Sequence, residues 1–313
     1  MTTSSAPQNG RLDPEPAGIA SERGRLTNLA YRLLGSLADA EDVVQETYAR
    51  WYALSAEQRS AIVSPGAWLT RVAGRVCLDL LGSARARRER YVGEWLPEPL
   101  PDRAGLVGGR VGAAAEEAAD PADRVTMDES VHMAFLVLLE SMTPAERVAF
   151  VLHDVFSYPF PEVARIVDRS PAACRQLAAS ARRRVRAARR PAAAERHTAL
   201  VREFLRAWEA KDIGALVGLL DPDAMSTPDS GGLVPAVLQP IVGAGEVTRA
   251  LAGVWEHQPA IELVEHTVNG QLGLVAQVDG RTATVLTFDV ADGGITHIWV
   301  MRNPEKLRAW TAA

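Results

Sequence analysis

Two cysteines, no apolar run long enough to cross a bilayer and no overall positive charge are the first features of this 313-residue chain. Cys77 and Cys174 lie far apart and fit no zinc-ligand spacing, so neither a disulfide framework nor a cysteine metal centre is expected. No stretch reaches the roughly 18 apolar residues of a membrane helix. The residues before Glu22 are rich in Ser, Pro and Gly without an apolar segment, and do not read as a secretory signal. A cytoplasmic protein with no membrane contact is the expectation. The formal net charge of -5 gives no general affinity for nucleic acid. What is present is apolar material: 47% of residues are hydrophobic, enough for two or three modest cores.

Charge and pattern divide the chain. Residues 1–190 hold 25 basic and 24 acidic side chains; residues 191–313 hold 9 and 15. Residues 1–21 read as a disordered tail. Leu26, Leu29, Ala30, Leu33 and Leu34 recur at helical spacing, and Gly35-Ser36 breaks the pattern. Asp39 is placed to cap a second helix through Val43, Val44, Thr47 and Trp51. Ser64-Pro65 opens a third, with Trp68, Leu69, Val72, Val76 and Leu80 on one face and an arginine-rich end. Residues 92–128 lose periodicity and gain Pro, Gly, Ala and acid, which marks a linker. Helical pattern returns through 129–190, with a capping box at Thr143 and Glu146. From 196 to 313 an α+β domain follows. Its helices precede four strands, 261–268, 272–279, 282–289 and 295–301, in a curved antiparallel sheet with Asn269-Gly270 and Asp279-Gly280 turns.

The sharpest motif lies at 161–186. Two short helices flank Asp168-Arg169-Ser170, as in a helix-turn-helix, with Ser170 as cap and Pro171 at the first helical position. Arg175, Gln176, Arg182 and Arg183 recur along the second helix, and 162–190 carry nine arginines against Glu162 and Asp168. Arg pairs with guanine or phosphate and Gln with adenine, so this helix is the candidate DNA reader; a solvated basic face is the bland alternative. Asp39 to Glu46 alternates acid and amide with apolar residues. By itself it reads as a solvated helix face, or as a protein-docking face. Arg71, Arg75, Arg85, Arg87 and Arg88 gather near Trp68, which is either a core residue or a base-stacking one.

In the order "AYRLLGSLADAEDVVQETYARWY", "SPGAWLTRVAGRVCLDLL", linker, "MTPAERVAFVLHDVFSYPFPEVARIVDRSPAACRQLAASARRRVR", the chain resembles an extracytoplasmic-function sigma factor over roughly residues 22–190. The resemblance implies two all-α domains, sigma region 2 (22–91) and region 4 (129–190). It implies core RNA polymerase, its β and β′ subunits, and promoter DNA as partners. By the same resemblance Asp42, Gln45 and Glu46 bind core polymerase at the β′ clamp. Arg71, Arg75, Arg85, Arg87 and Arg88 meet the downstream element and phosphates. Ser170, Arg175, Gln176, Arg182 and Arg183 serve the upstream element.

"YVGEWLPEP" at 91–99 and the trailing domain resemble sigma factors with a fused SnoaL-like domain, of the cone-shaped fold shared with nuclear transport factor two. Such domains often show DGGGK and NPDK. Here Asp229-Ser230-Gly231-Gly232-Leu233 departs from the first by a serine and by the missing lysine, whereas Asn303-Pro304-Glu305-Lys306 nearly keeps the second. An intramolecular regulatory contact is expected between Trp95, Leu96 and Pro97 and the pair of motifs holding Asp229, Gly231, Gly232, Asn303, Pro304 and Lys306. A cone-shaped domain can enclose a pocket, so an unknown small ligand is a possible partner. Asp229, His266, Asp279, Asp289 and His297 have catalytic chemistry, but sequence supplies no geometry joining them. The expectation is no enzyme, no catalytic residue, no metal and no cofactor. The competing readings are a DNA-binding regulator that works without polymerase and a bifunctional protein whose pocket converts a small molecule.

Overall fold

Helix α1 (Glu22–Leu34) buries Leu26, Leu29, Ala30, Leu33 and Leu34, the residues of its apolar stripe. The computed structural model describes residues 22–88, 91–101, 131–188 and 192–311, apart from the side chains of 84–88. Gly35 ends α1 at φ +69°, where a Cβ would stand 2.9 Å from the Trp95 ring. Helix α2 (Leu37–Tyr52) follows. Its cap is Ser36, whose Oγ accepts from Asp39 N at 3.2 Å, and not Asp39. Because the chain already turns at Gly35, the helix begins earlier and Asp39 falls in its first turn, where its charge suits the helix dipole. A short α3 (Ala56–Ser60), closed by a Ser55–Gln58 capping box, leads to α4 (Pro65–Arg88).

Helix α5 (Met133–Glu140) and α6 (Pro144–Phe150) follow, the latter capped reciprocally by Thr143 and Glu146. A π-helical turn, Val151–Val155, leads to α7 (Phe160–Val167). Asp168 takes the left-handed conformation at φ 57°, and Ser170 caps α8 (Pro171–Ala187) by accepting from Ala173 N at 3.1 Å. The two helical regions do not stand apart: Leu29, Leu33, Leu69 and Ala73 share one buried core with Val148, Phe150, Val163 and Ile166. α4 and α7 approach so closely that a Cβ on Gly74 would lie 2.9 Å from Ile166 Cγ2. Arg147, 3% exposed, crosses between the regions and donates to Leu33 O at 3.0 Å and to Glu140 at 2.6 Å.

The third part begins with α9 (Ala194–Glu209) and α10 (Ile213–Leu219). The strands are β1 (Leu220–Asp229), β2 (Ile241–Val242), β3 (Glu262–Val268), β4 (Gln271–Val278), β5 (Arg281–Ala291) and β6 (Gly294–Met301). Helix α11 (Ala244–His257) lies between β2 and β3, and α12 (Arg308–Thr311) ends the described chain. The sheet order is β2-β1-β6-β5-β4-β3. It is mixed rather than antiparallel, because β1 runs parallel to β6. One face (Leu274, Ala276, Leu286, Phe288, Ile298) packs on Val201, Phe204 and Trp208 of α9. The other (Val268, Val275, Val285, Trp299, Met301) is covered by Leu96, Met133 and Leu307. The chain thus spends its second sheet face on its own linker and on α5.

Candidate functional site

Three surfaces carry the residues singled out from sequence. On α2, Val43, Val44 and Thr47 are buried while Asp42, Gln45 and Glu46 are exposed. Glu46 pairs with Arg50 at 2.8 Å, an exposed contact that adds little stability. The acidic face is open to solvent and neither joint described below involves it.

On the second surface, Ser170 fixes the start of α8, and Arg175, Gln176 and Arg183 are exposed along it. Arg175 lies over the Phe160 ring at 5.5 Å, which holds its guanidinium near the turn. Arg182 is placed differently. Its Nε donates to Asp154 Oδ1 at 2.6 Å, so it ties α8 to the π-helical turn. Burial pushes the Asp154 carboxyl upward and the Arg182 bond opposes that shift. Of the α4 arginines, Arg71 and Arg75 are both exposed, and Arg75 also donates to Ile166 O at 3.3 Å, at the end of α7. Trp68 is half-buried and packs edge-on against Trp51 at 5.3 Å, as a core residue does. Arg85, Arg87 and Arg88 have side chains outside the described residues, as do the tail 1–21 and linker positions 102–128.

The third surface is a joint. Asp229 is fully buried at the end of β1. Its carboxylate accepts from Tyr91 OH at 2.6 Å, Leu96 N at 2.8 Å, Lys306 Nζ at 2.7 Å and Gly231 N at 3.1 Å. Lys306 Nζ also donates to Leu96 O at 2.7 Å and lies 4.8 Å from the Tyr91 ring and 4.2 Å from the Trp95 ring. The ammonium therefore has a carboxylate on one side and aromatic faces from the linker on the other. Asn303 Nδ2 donates to Tyr91 OH at 2.6 Å. Gly231, at φ +60°, allows this approach, since a Cβ there would stand 2.5 Å from Asn303 Nδ2. Pro97 packs against Gly35, Gly232 against Val92, and Pro304 is exposed. Leu233, where the related motif has lysine, is 56% exposed; the cation of the joint comes from Lys306 instead.

Sequence alone assigns no role to four residues where the linker meets its neighbours. Tyr91 lies within the quoted YVGEWLPEP, but its hydroxyl was given no role. Glu98 accepts from Ser36 Oγ and Leu37 N, both at 2.9 Å, and so holds the start of α2. Burial pushes its carboxyl upward. Trp310 Nε1 donates to Pro99 O at 2.7 Å. Asn269 reads from sequence only as a hairpin-turn residue.

The residues with catalytic chemistry do not converge. His266 is exposed on edge strand β3 against Trp310, and Asp279 occupies a hairpin turn at φ 52°. His297 bonds Thr227 at 2.8 Å, and burial pushes its imidazole down to about 4. Asp289 stands opposite it on β5. Among the described residues no group of three or more potential metal ligands occurs.

Comparison with known proteins identifies the two helical regions that carry the first two surfaces. Sigma-70 region 2 matches residues 19–87 and Sigma-70, region 4 matches residues 132–185. ECF RNA polymerase sigma factor SigJ of Mycobacterium tuberculosis is 38% identical over 299 residues, spanning 91% of this chain and 90% of that protein. A probable ECF RNA polymerase sigma factor, SigI of the same species, is 36% identical over 298 residues, 94% of this chain and 95% of the relative. The crystal structure of M. tuberculosis SigJ superposes with a TM-score of 0.71 at 34% identity, covering 94% of this chain and 99% of that one. Helical sigma regions followed by a SnoaL-like α+β domain define the class: a factor for transcription initiation. The chain belongs to the extracytoplasmic-function sigma factors, and its function is that of a sigma factor directing transcription.

Proposed function

We propose that the chain binds core RNA polymerase through Asp42, Gln45 and Glu46 on α2, at the clamp of β′. Region 4 engages β and places α8 in the upstream promoter element. In this reading Arg175, Gln176 and Arg183 reach bases and phosphates there. Arg71, with Arg85, Arg87 and Arg88, serves the downstream element, and Arg75 does so once released from Ile166. Arg182 acts by positioning α8 against Asp154. The SnoaL-like domain is a regulator in cis and not an enzyme, and the protein works in the cytoplasm. No helix among the described residues is long and apolar enough to cross a membrane.

The observation that carries the regulatory half is the Asp229–Lys306 pair closed over by Tyr91 and Trp95, because it makes the linker between the sigma regions part of the C-terminal domain. In vitro transcription with purified core polymerase tests it, using the full chain and a truncation ending near Arg190. Trp95→Ala should change promoter output several-fold in the full chain and have little effect in the truncation. Equal effects in both would remove the docking role. Failure of every form to bind core polymerase would remove the polymerase-dependent reading and favour an independent DNA-binding regulator.

A second reading, a small ligand, has one observation in its favour. A cleft of about 410 Å³ opens beside Trp208, Trp255 and Ile261, within the size range of small-molecule sites. Glu209, Lys211 and Glu262 also line it, which suits a polar-rimmed ligand.

A further inference from the structure

Hairpin tips are ordinarily solvated. The β3–β4 turn is not: Asn269 is 1% exposed, and it has a left-handed φ of 52°. Its backbone N–H donates to Leu100 O at 2.9 Å, and its Oδ1 accepts from Leu100 N at 2.6 Å. Its Nδ2 donates to Val131 O at 2.7 Å and to Tyr31 OH at 2.9 Å. Tyr31 in turn donates to Glu98 O at 2.7 Å. Pro101 bridges to Val268 beside it. One primary amide thus joins α1, the two ends of the connector 102–130 and the C-terminal sheet.

Leu100 precedes that connector and Val131 follows it. Fully extended, its 29 residues would span about 100 Å. Covalent reach alone does not fix how close regions 2 and 4 lie; the core they share and the hydrogen bonds at the connector's two ends do. We propose that Asn269 is the tie at those ends: a staple by which the C-terminal domain holds the ends of the connector together and helps keep the sigma regions closed on each other. This deepens the regulatory reading above and rests on it. The Asp229–Lys306 joint grips only the N-terminal side of the connector. Asn269 grips both sides, so parting regions 2 and 4 breaks its amide bonds to Leu100 or Val131 as well as the core the regions share.

The test uses Asn269→Gly in the full chain. Glycine accepts the left-handed φ, so the hairpin survives while the amide is lost. Spin labels on Ala56→Cys in α3 and Ala187→Cys at the end of α8, both exposed, report the separation of the regions by pulsed electron resonance. Cys77 and Cys174 are buried and stay unlabelled. Losing three hydrogen bonds should raise the ratio of open to closed molecules by roughly a hundredfold, visible as a new long-distance population. Tyr31→Phe, which leaves the hairpin sequence intact, should shift the ratio the same way by about tenfold, and it carries the test if the glycine variant does not fold. Unchanged distances in the folded variants would overturn the staple. The docking role, read separately by Trp95→Ala in transcription, would survive that result.

Discussion

The linker meets the C-terminal domain at two buried points of different kind. At one, an ammonium and a carboxylate are withdrawn from water, and at the other a neutral amide satisfies peptide groups. The charged joint owes its stability to completeness. Asp229 has four donors, and Lys306 has a carboxylate, a carbonyl and two rings. Remove one member and a charge is stranded. The amide joint loses less when cut, since only hydrogen bonds worth about 1 kcal/mol each are at stake. The charged joint is therefore suited to anchoring the linker, and the amide joint to opening and closing.

Breaking the comparison begins with Lys306→Met. The methionine keeps the apolar contact with Tyr91 and Trp95 but leaves the buried Asp229 carboxylate without its cation. A loss of about 3–5 kcal/mol is expected in denaturant unfolding. Adding Asp229→Asn to the same chain should recover most of it, because no charge is then stranded. If the single variant were as stable as the parent, the two joints would not differ in kind.

Acid sharpens the comparison by weakening the sheet independently of either joint. His297 is held down to about 4 by burial, against an ordinary value near 6.5. Its folded pKa lies below its unfolded one, so its neutral form contributes stability that is present above about pH 6.5 and lost as pH falls towards 4. The loss amounts to about 3 kcal/mol at most. Thermal unfolding from pH 7 to pH 4 should show this slope, and His297→Gln should flatten it. A slope that survived the substitution would belong to other groups.

Much of this was legible in the residues. Ser170, Pro171 and the arginines after them specify a capped basic helix because caps and helix faces are local properties. The four later strands follow from alternation, and the motif resemblance matched Trp95 and Leu96 with Lys306. β1 was not legible. Its Leu-Asp-Pro-Asp-Ala-Met-Ser-Thr-Pro-Asp sequence has two prolines and three aspartates, poor strand formers, and it is held by parallel pairing with β6 some 70 residues away. Arg75 and Arg182 read from sequence as DNA contacts alone; that Arg75 also donates to Ile166 O and Arg182 to Asp154 follows from the packing of region 4. Asn269 announces a turn in any sequence. That this turn is buried between three other segments depends on where the linker passes, which no local pattern encodes.

The smallest expected effect belongs to Tyr91→Phe. The phenol donates to Asp229 and accepts from Asn303, and its ring faces Lys306. Phenylalanine keeps the ring, so the cation–π contact and the apolar packing persist, and Asp229 keeps three of its donors. What is lost is one charge-assisted hydrogen bond and the acceptor for one Asn303 hydrogen, together about 1–2 kcal/mol. Denaturant unfolding should find this difference, with little change in transcription by the full chain. A loss as large as that of Lys306→Met would mean that the hydroxyl, rather than the ammonium, is the member on which the charged joint depends.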